Sequence, residues 1–470
     1  MDTSLFPTAA GQIRHDEIKL PVFFPLVFRN ALKFLAFGFA LILAPIKAEG
    51  ISLEACIFAA LKKNPGTQAS FLRVEAAKAI IKQAKAAYYP QLFLSGNYSL
   101  TDNPTQAFMM QLNQRQLDIQ DPGFDPNNPD DTDNLRLSVE LKYRIYDGGR
   151  RKIRTTMAEL GKEAATDQLS AVQNELIHQV THGYYGVLQS QDFIEVQKET
   201  IKSLEENLRV AKERFKVGSA VKTDVLNLEV RLAQAREDLI RAQNGMRLSI
   251  AALNTAIGED LVRPDGLPTP VKKDEVPPPI EQDANLVENR PELHLARRRT
   301  TIKKKEYHSA VREYYPNVNA FGSYDFDSDF DELEDSYLVG IMAEWEFFDG
   351  FRRPSTIKQA KREWQATQQD EQNIRNNLRL DLQRAQIQAA EAWQRLEVAR
   401  KSVESAKEAL RITRVRYKEG ATNITELLTA QVGLTASQTR DVAAYYDYLI
   451  ALSNVKRAQG ELVTEYADQN

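Results

Sequence analysis

The chain has 470 residues, which at roughly 150 per domain suggests about three globular domains. Yet 27% charged and 43% hydrophobic residues with only 21 glycines and 19 prolines point to long regular elements. Acidic residues outnumber basic ones, 65 to 61, so the bulk positive charge of a protein that wraps nucleic acid is missing; one cysteine, Cys56, excludes an internal disulfide or a multi-cysteine metal cluster; and a mean hydropathy of −0.45 argues against a polytopic helical membrane protein while leaving a β-barrel open.

One stretch is continuously apolar, Phe34 to Ile46, behind Arg29 and Lys33. It is too short to span a ~30 Å hydrocarbon core as a helix. With Ala48 after it, it reads as a secretory signal over residues 1–48, carrying an unusually long leader. A helix is predicted over 52–89, and Cys56 reads as a buried position within it, because Glu54 fits a lipid-attachment motif badly. Tyr88-Tyr89-Pro90 closes that helix. The chain then alternates, with Leu92, Leu94, Gly96, Tyr98 and Leu100 opposite Gln91, Ser95, Asn97 and Ser99, which predicts a strand over 91–100. A second strand, 135–146, sets Leu135, Leu137, Val139, Leu141, Tyr143 and Ile145 against Arg136, Ser138, Glu140, Lys142, Arg144 and Tyr146. Ten to twelve residues is the length of a tilted membrane strand.

Asp147-Gly148 ends the strand, and a helix is predicted over 151–216, ~100 Å long at 1.5 Å per residue. Near its end Ile201, Leu204, Leu208, Ala211 and Phe215 step by threes and fours, the spacing of coiled-coil packing. The chain breaks at Gly218 and returns in a helix over 221–258. Residues 261–290, with Pro264, Pro268, Pro270, Pro277, Pro278 and Pro279, read as a connector.

The second half repeats the first. Tyr88-Tyr89-Pro90 falls on Tyr314-Tyr315-Pro316 at an offset of 226, whereas Asp147-Gly148 falls on Asp349-Gly350 and Phe215-Lys216-Val217-Gly218 on Tyr417-Lys418-Glu419-Gly420 at 202. The difference of 24 places an insertion in the first copy, within residues 99–136. The copies are 49–260 and 291–465, the second predicted as helix 291–315, strands 317–326 and 337–348, long helix 353–418 and return helix 423–464. Tyr98, Tyr324 and Tyr337 at one end of the strands, and Tyr143, Tyr146, Trp345, Phe347 and Phe348 at the other, sit where interface girdles belong.

Four amphipathic strands cannot stand in lipid, because open edges leave backbone groups unpaired and closed barrels begin at about eight strands. Two subunits would supply eight strands and three would supply twelve, wide enough for a channel. The repeat, the Leu53-Glu54 to Asn64-Pro65 opening, the Tyr-Tyr-Pro strand starts, the Asp-Gly-Gly-Arg and Asp-Gly-Phe-Arg strand ends and the Tyr-Lys-x-Gly tip resemble the TolC family of outer-membrane efflux and type I secretion channels. The resemblance spans about residues 51–465. It implies an α+β membrane protein, a homotrimer in the outer membrane of a Gram-negative bacterium, with a twelve-stranded barrel and a coiled-coil tunnel through the periplasm. It further implies a periplasmic adaptor protein and an inner-membrane RND or ABC transporter as partners, passive transport, and no cofactor.

In that family the periplasmic helix tips form the gate and dock the adaptor. The positions here are Gly218, Asp224, Tyr417, Gly420 and Glu426. Gly218 and Gly420 fit helix C-caps of positive φ, and Asp224 and Glu426 sit in first turns, where a carboxylate complements the helix dipole. By resemblance, three Glu426 side chains would form an acidic ring. This chain has Thr429 where well-known members carry a second acidic ring and Thr422 near their latch arginine, leaving Tyr417 and Asp224 as latch partners. Arg209, Lys212, Arg214, Lys216, Lys222, Arg411, Arg414, Arg416 and Lys418 crowd the tips and read as a solvated face. His178 and His182 share a helix face, but Gln179 removes the metalloprotease signature. Asp325, Asp327, Asp329 and Asp331, with Asp121, Asp125, Asp130, Asp131 and Asp133, read as solvated extracellular loops rather than calcium sites, since the EF-hand spacing is absent. No nucleotide-binding or nucleophile motif marks an enzyme. The rival reading is a periplasmic coiled-coil scaffold.

Overall fold

The computed structural model describes residues 50–120, 122–263, 266–269, 278–279 and 284–467. The signal segment 1–48, Asp121, and Pro264, Pro270 and Pro277 of the connector lie outside the described residues.

Where one helix over 52–89 was expected there are two, α1 (Leu53–Lys63) and α2 (Pro65–Ala86). Asn64 precedes a proline and is extended, as its neighbour's ring demands. Its Oδ1 accepts the N–H groups of Gly66 and Thr67, capping α2, while its Nδ2 donates to Ala256 O at 2.8 Å. β1 (Gln91–Thr101) leads to a helix the sequence reading missed, α3 (Pro104–Asn113), inside the insertion. β2 (Thr132–Tyr146), α4 (Arg150–Lys216) and α5 (Lys222–Ile257) complete the first copy. The second contains α6 (Pro291–Val311), a 3-10 turn at Arg312–Tyr314, β3 (Asn317–Ser328), β4 (Leu333–Glu344), α7 (Arg352–Lys418) and α8 (Ile424–Gln459). A short α9 (Leu462–Ala467) follows. β4 starts and ends four residues before the predicted 337–348, so Trp345, Phe347 and Phe348 lie beyond it; its partner β3 begins after Pro316, which has no N–H to extend the ladder. The return helix stops at Gln459 rather than 464, because Gly460 takes φ +79 and ends it.

The four strands form one antiparallel sheet in the order β1-β2-β3-β4. Its register places Leu94 opposite Val139, Val139 opposite Tyr324, and Gly322 opposite Val339, so the apolar residues of all four strands share one face. That face is bare: Leu94 is 79% exposed and Val339 72%. The other face carries Ser95, Asn97, Arg136, Ser138, Glu140, Ser323, Asp325 and Asp327. Among the described residues, the outer edges of β1 and β4 have no strand partner. No described helix is long and apolar enough to cross a membrane.

Helices α4 and α5 pack as one hairpin and α7 and α8 as the other, with α2 and α6 beside α4. On α7 the buried residues Leu378, Leu382, Ala385, Ala389, Ala392 and Leu396 step by four and three, and the alanines let helices approach closely. Ile57, Ile177, Leu188, Leu253, Leu396, Tyr445 and Tyr448 anchor the largest core, where six helices meet, α9 adding Leu462. A second core lies at the far tips, with Leu204, Leu228, Leu410, Tyr417 and Leu427.

At one side of the large core, Asp381 of α7 accepts from buried Arg290 and from Arg457 of α8. Nearby, His178 Nδ1 is 3.2 Å from Ser453 Oγ. Burial, then the Arg457 charge, holds the His178 pKa below its ordinary value. A depressed histidine pKa contributes stability above the unfolded value of about 6.5 that is lost as pH falls below it. Thermal unfolding at pH 7.5 and 5.5 should therefore show a drop in Tm that is smaller in His178→Asn; an equal drop in both proteins would remove His178 as the cause.

Candidate functional site: helix tips and strand-to-helix turns

Each hairpin tip closes with a left-handed glycine. Gly218 has φ +74 and Gly420 φ +79. Ser219 N–H donates to Arg214 O at 2.8 Å, and Ala421 N–H to Arg416 O at 2.8 Å, the bonds of a Schellman cap in both copies. In the second tip Asn423 caps α8, its Oδ1 accepting the Glu426 N–H at 3.0 Å, while the Thr422 hydroxyl donates to Glu426 Oε2. Glu426 thus completes a capping arrangement and remains exposed. Asp224 occupies the first turn of α5, which has no side-chain cap.

The two tips are tied together by a residue that the sequence reading left on a solvated face. Arg214 of α4 donates to Tyr417 O of α7 and, at 3.1 Å, to Ser219 O, and its guanidinium lies 5.0 Å from the centre of the Tyr417 ring. An alanine Cβ at Gly420 would stand 3.3 Å from the same guanidinium. Tyr417 is buried, and its hydroxyl has no hydrogen-bond partner among the described residues. Burial and then the Asp224 carboxylate push its phenol pKa up, with Arg214 opposing. The sequence signal was faint: Arg416, the repeat counterpart of Arg214, reaches Ala421 O at 3.4 Å. Farther up, the Thr200 and Thr435 hydroxyls are 2.9 Å apart, and Arg414 donates to Ser203 Oγ at 2.5 Å, so a second arginine is also directed between helices.

At the other end of the long helices, the strand starts and strand ends form matching clasps. Asp147 accepts the Arg151 N–H at 2.8 Å, and Arg151 donates to Ile145 O at 2.8 Å with its guanidinium 5.0 Å from the Tyr88 ring centre. In the second copy Asp349 accepts from Arg353 N–H and Nε, both at 2.8 Å, and Arg353 reaches Glu346 O and stacks 5.1 Å from Tyr314. Trp345 Nε1 donates to Tyr314 O at 3.0 Å, fixing the strand start from the other side. Gly148 and Gly350 have φ +69 and +65, which frees both carboxylates to face back onto the helix. The copies differ one residue on, where Gly149 is matched by Phe351 at φ +65. Between copies, Arg312 stacks 5.3 Å from Tyr315 and donates to Gly148 O at 3.2 Å. Tyr89-Pro90 and Pro316 sit directly before β1 and β3, where a missing N–H costs no ladder bond.

The His178 and His182 ring centres are 6.5 Å apart, and no third metal-ligating side chain joins them among the described residues. Asp325 and Asp327, expected in a solvated loop, belong to β3; Asp327 is 1% exposed and pairs with Arg136.

The sequence pattern of the family described as "Outer membrane efflux protein" matches residues 57–259 and 284–461, one block in each copy. The chain is 22% identical over 400 residues to outer membrane protein TolC of Vibrio cholerae, covering 83% of this chain and 86% of that one. It is 24% identical over 443 residues to the alkaline protease secretion protein AprF of Pseudomonas aeruginosa, covering 91% and 88%. The fold superposes on the CmeC outer membrane channel of Campylobacter jejuni with a TM-score of 0.73 at 17% identity, over 87% of this chain and 85% of that chain. With both copies matched, a sheet apolar on its outward face and helices of tunnel length, the chain belongs to the outer membrane efflux protein family.

Proposed function

We propose that three copies of this chain form an outer-membrane channel whose helices continue into the periplasm as the exit duct of a tripartite export system. The observation that supports this most is the continuous apolar face across four strands whose outer edges are open. Such a sheet is stable in lipid only when closed by further copies. A periplasmic scaffold would leave that face in water, which disfavours it. Transport is passive in this chain, and an adaptor protein and a proton-driven or ATP-driven inner-membrane transporter supply coupling and energy. Small-molecule efflux and type I protein secretion use the same duct chemistry.

In this reading Arg214 and Tyr417 join neighbouring hairpins within one protomer, and the repeat sets Arg416 against Phe215 of the next protomer in the same relation. Phe215 is 44% exposed in the single chain. The gate is then six hairpin tips held by alternating contacts, with Glu426 around the opening. Cross-linking a Phe215→Cys/Arg416→Cys protein with a flexible bis-maleimide, which spans the gap an arginine side chain fills, should give a covalent trimer in the outer-membrane fraction. Protein extracted by carbonate wash into the soluble fraction would sink the proposal. In planar bilayers Glu426→Gln should lower cation preference; an unchanged reversal potential would remove the acidic ring alone.

A further inference from the structure

The insertion does not form a free loop. It follows Thr101, at the end of β1 opposite the one that α2 leads into, which in the channel reading is the outer mouth of the barrel. Asn103 caps α3, with Oδ1 accepting from Thr105 and Gln106, and Pro104 sits at the first position. Three consecutive residues after α3 are then fastened across the sheet. Gln114, 2% exposed, donates through Nε2 to Asp133 O at 2.7 Å and Asn134 Oδ1 at 3.2 Å on β2. Arg115 pairs with Glu334 at 2.6 Å and donates to Asp335 O at 3.2 Å on β4. Gln116 donates to Asp329 Oδ2 at 2.7 Å in the β3–β4 turn.

Asn134 and Glu334 are on the polar face of the sheet, in register with Arg136 and Asp327: Asn134 Nδ2 donates to Asp327 Oδ1 at 2.6 Å, and Glu334 is opposite Asp327. The segment therefore crosses from β2 to β4 over the polar face of the sheet.

Arg115 adds an independent sign. It has φ +56, the left-handed position ending α3, with Gln116 N–H donating to Gln111 O at 2.9 Å. Where a helix ends on a left-handed residue, glycine usually supplies it, at lower cost. A strained arginine there is explained by its side chain, which supplies the ion pair to Glu334. Met109 and Leu112 of α3 are left 51% and 43% exposed.

We propose that residues 104–116 form a fixed constriction on the lumen side of the barrel's outer mouth, pinned by Gln114, Arg115 and Gln116, which sets the largest solute that leaves the duct. The second copy has no counterpart, so three such segments alternate with three short turns around the mouth. This rests on the channel reading, in which the polar face lines the lumen.

The test uses Lys142→Cys, an exposed polar-face position deeper in the sheet, and maleimide-tagged polymers of graded size applied outside intact cells. The native Cys56 is buried, with a thiol pKa pushed up to about 12 by that burial and then by Glu54, and stays silent. Arg115→Gly/Gln116→Ala removes two pins while relieving the positive φ, so the chain still folds. A second variant replaces residues 104–116 by a short glycine-serine bridge. The size limit for labelling should shift to larger polymers in both variants. An unchanged limit in both overturns the constriction, and a shift in the bridge variant alone overturns the pinning by Arg115 and Gln116. Failure of even a small impermeant maleimide to label Lys142→Cys in all three backgrounds would instead contradict the channel reading.

Discussion

Gly148→Ala is expected to destabilise the folded protein by roughly 2–4 kcal/mol, and Gly350→Ala by only about 1 kcal/mol. Both glycines have positive φ, +69 and +65, so both substitutions carry the left-handed strain of an L-residue. Only Gly148 is also enclosed. A Cβ there would stand 2.8 Å from Tyr315 Cβ and 3.0 Å from Arg312 O, whereas among the described residues nothing lies within 4 Å at Gly350. Neither obstacle is the free end of a flexible side chain, so the start of β3 would have to move, against the cation–π contact of Arg312 on Tyr315. Set against a typical total of about 5–15 kcal/mol, the larger cost is a substantial share. Thermal melting of the two purified variants reads the difference directly. Equal melting temperatures would mean that the close approach between copies carries no weight.

On the proposed gate, Arg214→Ala should raise the open-to-closed ratio of the tips roughly 30-fold, the effect of losing about 2 kcal/mol of charged hydrogen bonding and ring stacking at a half-exposed site. Arg214 is the donor that joins the two hairpins, through Tyr417 O and the Tyr417 ring, and it also holds Ser219 O of its own turn. Its removal takes one donor from the Tyr417 carbonyl, which keeps the Gly420 N–H at 3.1 Å, and uncovers the ring. Tyr417→Phe is the internal control: the hydroxyl has no hydrogen-bond partner among the described residues, so opening should change by less than about twofold. Single-channel recordings count the openings. Unaltered open probability in Arg214→Ala would show that closure rests on contacts between protomers and not on this one.

Much of the architecture was legible because a bilayer and a coiled coil each impose a period. The apolar side chains of Leu92 to Leu100 and Leu135 to Ile145 alternate because one face of the sheet has to meet lipid. The threes and fours at Leu204, Leu208 and Ala211 follow from helix seams. What escaped was decided by one residue or by a distant contact. The break at Asn64 came from the ring of Pro65, too local an event to disturb the periodicity around it. Asn103-Pro104 is a cap-plus-first-turn signature that could have revealed α3, but the insertion has no second copy to compare with. Arg214 was one basic residue among nine, and only the approach of α7 gives it a ring to cover. Asp327 read as a loop acid until pairing placed Arg136 opposite it.

The unpartnered edges of β1 and β4 also bear on how the protein is made. A newly exported chain cannot finish its own wall, and two raw strand borders invite pairing with any other extended polypeptide. The helical hairpins, whose contacts are local, can organise first, while sheet closure waits for encounters between molecules. Maturation is then governed by how many copies arrive together, and a scarce supply would strand monomers half-built in an aqueous space.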